Sequence, residues 1–277
     1  MTRSAIESHA STDRRVIAGE AYGTGTHLAA RQRLYQAQRP RHDLPAIAAT
    51  HLADVTGTVA DIGCGNGWYL RHLRQHRPDL TVVGVDLSAG ILANLRPPLV
   101  VADAQALPFA SGSFQAVLAM HMLYHLPDSD AGLRELTRVL TSGGTLIVST
   151  NARADKRELD QLWSQAAADV LGTPEGPHRI SLSDRFPLDD APAHLAQHFD
   201  DVRLVDLRGV ISVTEPAPVI AHFASYQAWA ADSGVPFIAT LARAEQRLTE
   251  TIERDGAFTI TCQSGMLICR APAEPRQ

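Results

Sequence analysis

The chain is poor in several things that would mark it as a secreted, membrane-bound or nucleic-acid-binding protein. Its three cysteines, Cys64, Cys262 and Cys269, are too few and too scattered to frame a disulfide scaffold, and none stands in a Cys-x-x-Cys pair. A reducing, cytoplasmic setting is therefore expected, and no metal-ligand motif is visible. Positive charge is not in excess: 25 Lys+Arg face 30 Asp+Glu, a formal charge of -5 at pH 7. Such a chain has no global attraction to a phosphate backbone or an anionic membrane, so neither is expected as a partner. No stretch reaches the length of about 18 apolar residues that a spanning helix needs. Arg3, Glu7, Asp13, Arg14 and Arg15 interrupt the N-terminal region where a signal peptide would be continuously apolar.

What the chain does have is 45% hydrophobic residues over 277 positions, enough for a substantial core. Residues 1–20 are polar and without period, and residues 1–25 read as a flexible leader or lid. The remainder, 26–277, reads as a single domain. Helices are expected over 26–38 and 44–52. From Thr58 onward, short apolar runs alternate with helical stretches: VADI (59–62), TVVGVDL (81–87), LVVAD (99–103), FQAVLAM (114–120) and TLIVST (145–150). Runs apolar at consecutive positions suit strands covered on both faces, hence an α/β fold with a parallel sheet. Leu133, Leu136, Val139 and Leu140 form the inward stripe of a helix expected to stop at Ser142-Gly143-Gly144. Later, 202–212 and 258–270 alternate like strands, 154–171 and 216–255 read as helices, and 172–190 reads as a loop.

The richest stretch is Asp61-Ile62-Gly63-Cys64-Gly65-Asn66-Gly67, which leaves a predicted strand and enters a predicted helix. Glycines there allow tight turning and let the backbone approach a ligand, while free amides at the helix start can meet an anion. The spacing departs from the dinucleotide pattern G-x-G-x-x-G: the third glycine comes one residue early and Trp68 stands in its place. The second and third strands end in acids, Asp86 and Asp103. A carboxylate at such a strand end can accept both hydroxyls of a ribose diol. Cys64 has no base spaced near it and is not expected to act as a nucleophile. Trp68 and Tyr69 are expected to pack.

Taken in order, DIGCGNG, VDLS, ADAQALPF and AMHMLYHLPD resemble the motifs of class I S-adenosylmethionine-dependent methyltransferases, of the subgroup that includes ubiquinone/menaquinone and many natural-product methyltransferases. The resemblance covers about 58–150, the expected cofactor core, and leaves 26–54 and 151–257 as substrate-side elements. It implies a Rossmann-like sheet of seven strands with an antiparallel last strand, N-terminal helices and a helical insertion before that strand. It further implies that Gly63, Cys64 and Gly65 lie against the methionine part of S-adenosylmethionine and that Asp61 orients its amino group, aided by the Ala119 carbonyl. By the same resemblance Asp86 and Leu87 hold the ribose, Asp103 and Ala104 read the adenine, and Tyr22 belongs to a lid near the methionine.

Methyl transfer from a sulfonium needs alignment more than acid–base help, and a base only when the acceptor arrives protonated. His121, Tyr124 and His125 follow the fourth strand and are the catalytic candidates, with His125 alternatively capping or bracing the next helix. Arg31 reads as a surface or salt-bridging residue. His178 and Arg179 are candidates for substrate contact, while His222, Tyr226 and Trp229 read equally as pocket or core. The expected function is methyl transfer to an oxygen, nitrogen or carbon of a small, biosynthetic metabolite. The alternatives are an RNA-base methyltransferase and a non-methylating binder of the cofactor. No motif sets an oligomeric state.

Overall fold

The computed structural model describes residues 12–272. Of the expected leader, residues 1–11 lie outside the described residues. The strands run, in chain order, β1 (Gln38–Arg39), β2 (Gly57–Ile62), β3 (Leu80–Asp86), β4 (Leu99–Val101), β5 (Phe114–Met120), β6 (Leu140–Asn151), β7 (Asp201–Asp206), β8 (Gly209–Val213), β9 (Phe258–Cys262) and β10 (Ser264–Arg270). The described residues divide into two compact units whose segments interleave along the sequence. One takes residues 42–153, 183–207 and those from 264 onward; the other takes those up to 41, 154–182 and 208–263.

The first unit holds a seven-stranded sheet of order β4-β3-β2-β5-β6-β10-β7. Strands β2 to β6 pair in parallel, and β10 runs antiparallel to both β6 and β7. This is the expected α/β architecture with its antiparallel last strand. Val59, Ala60 and Ile62 are at most 1% exposed and Ala116 to Ala119 are wholly buried. Burial on both faces explains why these strands show no apolar/polar alternation in sequence. Leu44–Thr50, capped by Asp43 through the Ala46 amide, and Trp68–His76 pack Ala48, Tyr69, Leu70 and Leu73 against Val59, Val82 and Leu118. Trp68 and Tyr69 do pack, as expected.

Some boundaries differ from the sequence reading. Helix Ser129–Val139 stops before the Ser-Gly-Gly turn, because Leu140 is already extended and opens β6, which carries Gly143 at φ +68 within it. The stretch 202–212 is two strands, not one: β7 joins the seven-stranded sheet, whereas β8 pairs with β1 and β9 in a sheet of order β1-β8-β9. Glycine at 209 permits this, since a Cβ there would lie 2.8 Å from the Arg39 carbonyl oxygen. The stretch 258–270 divides at Gln263, where the Gln263-Ser264-Gly265 turn suggests a hairpin or a bulged strand, but the two halves enter different sheets, β9 staying with β8 and β10 entering between β6 and β7.

The second unit builds its core from Leu159, Leu162 and Trp163 of helix Arg157–Leu171, Ile211 and Val213 of β8, Phe223, and Leu248 of helix Phe237–Asp255. Residues 16–20, expected to be irregular, belong to a helical stretch, Val16–Ala21, whose Ile17 and Ala21 are buried one turn apart. Beneath β9 the sole lysine of the sequence, Lys156, is buried at 3% exposure. Its ammonium pairs with Asp155, hydrogen-bonds the Tyr35 hydroxyl and lies 4.5 Å from the Tyr35 ring centroid. Burial pulls its pKa down, but the Asp155 charge and Tyr35 outweigh this and hold it above the ordinary lysine value. No helix among the described residues is long and apolar enough to cross a membrane.

Candidate cofactor site

Strand β2 delivers Asp61 to the carboxyl edge of the seven-stranded sheet, and the chain then turns through Gly63, Gly65 and Gly67 at φ +69, +54 and +74. Only glycine adopts three such left-handed positions in five residues without strain. The amides of Gly63 and Cys64 both donate to the Val85 carbonyl, at 2.8 and 2.9 Å, which pins the loop to β3. A Cβ on Gly63 would lie 2.8 Å from the Met122 Cβ, so this glycine also lets the loop reach the segment after β5. Met122 is a wall of the site that the sequence does not single out; its only signal is its place beside His121.

Asp86, at the end of β3, accepts from the Gly65 amide through Oδ2 and from the Ser88 amide through Oδ1, both at 2.9 Å. Each oxygen keeps a further lone pair, so the carboxylate is oriented by the backbone yet still able to accept two hydroxyls. Burial raises its pKa, while the Ser88, Gly65 and Leu87 amides oppose that shift. Leu87 thus sits between the two residues that fix the carboxylate. Strand β4 pairs Val101 with Asp86, and two residues beyond it Asp103 accepts the Gln105 amide at 2.9 Å, next to buried Ala104. That loop is anchored from helix Ser129–Val139: Glu135 accepts the Leu107 amide at 2.8 Å, and Arg138 donates to the Phe109 carbonyl at 2.8 Å.

Asp61 is different. It is 1% exposed, and neither carboxylate oxygen has a hydrogen-bond partner among the described residues. Burial first, then the Asp86 charge, pushes its pKa up to about 7, against a weaker pull from the Leu70 amide and the Arg74 guanidinium. A dry, unpartnered acid at a strand end is costly unless a cation or donor meets it. The ammonium of a methionine moiety has that chemistry, so the residues present fit S-adenosylmethionine. Ala119, wholly buried in β5, stands one position past the Asp61–Leu118 pair. Cys64 is also buried, and desolvation raises its thiol well above the ordinary value, as does the charge of Asp61. Its sulfur faces Gly84, 3.2 Å from where a Cβ there would be, inside the sheet.

His121 leaves β5 at φ +53, a left-handed position rare for histidine, and its amide donates to the Ser149 carbonyl at 3.0 Å. Tyr124 is buried with its ring edge-on to His125, 4.7 Å between centroids. The cap of the following helix is Asp128, which accepts the Ala131 amide at 3.0 Å, so His125 does not serve as the cap.

The site residues expected around the cofactor core fall in this one unit, except Tyr22. That residue belongs to the other unit, where its hydroxyl accepts from Arg31 at 2.7 Å. Arg31 is not on the surface as expected: it is 9% exposed, its guanidinium lying 4.9, 5.1 and 5.7 Å from the Tyr22, Tyr226 and Trp229 ring centroids. Trp229 is wholly buried core, and His222 is buried with both ring nitrogens unpartnered and its pKa held down by desolvation. Arg179 lines a pocket in this unit with Trp163, Ile180, Phe223, Tyr226 and Phe237, whereas His178 is exposed and bonded to Asp160 at 2.6 Å.

Comparison with known proteins agrees with this geometry. Residues 60–148 match the family described as a methyltransferase domain. A malonyl-[acyl-carrier protein] O-methyltransferase of Legionella pneumophila is 34% identical over 116 residues, 39% of this chain and 41% of that protein. A demethylmenaquinone methyltransferase of Roseiflexus castenholzii is 39% identical over 104 residues, 35% of this chain and 44% of that protein. The chain thus spans less than half the length of these curated relatives. A crystal structure from Anabaena variabilis, of a proposed methyltransferase from an antibiotic biosynthesis pathway, shares the fold with a TM-score of 0.59 at 19% identity, over 82% of this chain and 96% of that one. The glycine turn and its three acids thus all fall within the residues that match a methyltransferase domain.

Proposed function

We propose that this protein transfers the methyl group of S-adenosylmethionine to an oxygen, nitrogen or carbon of a small metabolite. The observation that carries this reading is the orphaned carboxylate of Asp61 beside a glycine turn, with Asp86 held by two amides and still able to accept. When bound, the cofactor supplies an activated methyl on sulfur. Asp61 then holds the amino group, Asp86 and Leu87 the ribose, and Asp103 with Ala104 the adenine, while Gly63, Cys64, Gly65 and the Ala119 carbonyl line the methionine side.

His121 is the candidate to take a proton from an acceptor that arrives protonated, because it directly follows β5 at that strand's carboxyl end and its imidazole titrates near neutral pH when unperturbed. Tyr124 and His125 shape the same segment. The small-molecule reading is supported by the net acidity of the chain, which gives it no general attraction to a phosphate backbone. The test is transfer of labelled methyl groups from S-adenosylmethionine to a metabolite extract, with and without RNase. Labelled small molecules insensitive to RNase are expected; label in RNase-sensitive material, or none with cofactor bound, overturns the reading. In the same assay His121→Gln should lower turnover with little change in cofactor affinity.

A further inference from the structure

We propose that Asp130, His194 and His198 form a binding site for one divalent transition-metal ion of the zinc type. Asp130 stands in the first turn of helix Ser129–Val139, and His194 and His198 lie one helical turn apart in and just after helix Ala191–Leu195. Both histidines aim Nε2 at the same atom, Asp130 Oδ1, at 2.6 and 3.2 Å. One ligand atom from each residue lies within 4.8 Å of the others.

Ligand atoms around a tetrahedral ion bound at about 2.0–2.1 Å sit about 3.4 Å apart. The two histidine–carboxylate distances, 2.6 and 3.2 Å, therefore need to open by less than an ångström to admit the ion, and the ligand nitrogens of the two histidines lie within 4.8 Å of each other. Two imidazoles and one carboxylate are a donor set that suits Zn²⁺ and its neighbours better than Mg²⁺ or Ca²⁺. The side chains are 47%, 28% and 16% exposed, so an ion and its remaining waters can enter.

The two segments are already held together without an ion. Arg185 donates to the Pro127 carbonyl at 3.0 Å, Thr150 donates to the Phe186 carbonyl at 2.6 Å, and the Phe186 ring lies against His194 at 5.4 Å. The donors are thus pre-positioned, and an ion there clips the segment that follows His121, Tyr124 and His125 to the one that follows β6. The role is structural, because no candidate catalytic group is among the ligands. Sequence spacing does not reveal the site, since Asp130 is 64 and 68 residues from its partners.

A second histidine pair, His72 and His76, also stands one turn apart with rings 4.2 Å from each other, but among the described residues no carboxylate completes a metal-ligating group with it. It supplies the control. The experiment is calorimetric titration of ZnCl₂ into the untagged, EDTA-treated full chain, with visible absorption of the Co²⁺ form as a second readout. Expected are one ion per chain, a d–d spectrum of a nitrogen- and oxygen-ligated ion, and a melting temperature raised by the metal. His194→Ala and Asp130→Asn should each weaken binding by at least about tenfold, with circular dichroism confirming the fold, while His76→Ala leaves it unchanged. No binding, or binding that survives His194→Ala and Asp130→Asn, or binding lost in His76→Ala, overturns the proposal.

Discussion

The two units each bury a carboxylate almost completely, and they treat it in opposite ways. Asp155 is 6% exposed and fully engaged: one oxygen pairs with the Lys156 ammonium, and the other accepts the Gln263 amide at 2.8 Å. Asp61 is 1% exposed and neither of its oxygens makes a hydrogen bond among the described residues, leaving only the weaker pull of the Leu70 amide and the Arg74 guanidinium. A buried charge that is paired and hydrogen-bonded is part of the framework, for its loss leaves a partner stranded. An unpaired one is a standing penalty that a bound cation removes, and such groups collect at functional sites. The contrast locates the cofactor unit without reference to any motif.

The largest expected effect lies on the paired side. Lys156→Met should cost about 3–5 kcal/mol in denaturant unfolding, because it strands the Asp155 charge in a dry site. If Lys156→Met with Asp155→Leu restores much of that loss, the pair is framework. A fully intact Lys156→Met protein would break the comparison at its root.

On the unpaired side the sign reverses. The folded pKa of Asp61, about 7, exceeds the ordinary value of 3.8. The folded state thus holds its proton more tightly than the unfolded state, and stability conferred below pH 3.8 is lost as pH rises towards 7. At about 1.4 kcal/mol per unit the full penalty is roughly 4 kcal/mol. Asp61→Asn should therefore remove that decline from the apoprotein while weakening S-adenosylhomocysteine binding. Calorimetry in buffers of different ionisation heat should also show proton release when the ligand binds wild type below pH 7. A flat stability profile from pH 4 to 7 in wild type would mean that Asp61 is solvated or partnered after all.

Asp86→Ala should weaken S-adenosylhomocysteine by about 1.5–3 kcal/mol, the worth of hydrogen bonds to a charged group. Its effect on folding is expected to be smaller than that of Lys156→Met. Unchanged affinity in a folded variant would remove Asp86 from the site. Cys64 sharpens the picture from the other end: its desolvated, sheet-facing thiol should resist alkylation at pH 8, and Cys64→Ala should keep turnover within a few-fold. Fast labelling accompanied by inactivation would reinstate it as a reactive group.

Much of the cofactor unit was legible because its physics is local. Val59, Ala60 and Ile62, like Ala116 to Ala119, are apolar whichever way they point because both faces of their strands are covered, and Gly63, Gly65 and Gly67 mark positive φ by their identity. That Arg31, read as a surface or salt-bridging residue, is buried was not legible, because nothing in its helix announces the Tyr22, Tyr226 and Trp229 rings around it, the last two nearly two hundred residues away. The division of 202–212 and 258–270 into strands of two sheets was hidden for the same reason: alternation reports that a residue is extended, not which partner it meets.

The sequence by itself determined the order of strands and helices from β2 to β6, the glycine turn and the acids at three strand ends, since each follows from the preferences of neighbouring residues. Only the tertiary structure decided which of those acids is left without a partner, which lysine and arginine are buried, and that Asp130 meets His194 and His198. Burial and pairing are properties of where distant segments come to rest, and a side chain acquires its pKa, and with it its chemistry, only after the chain has closed around it.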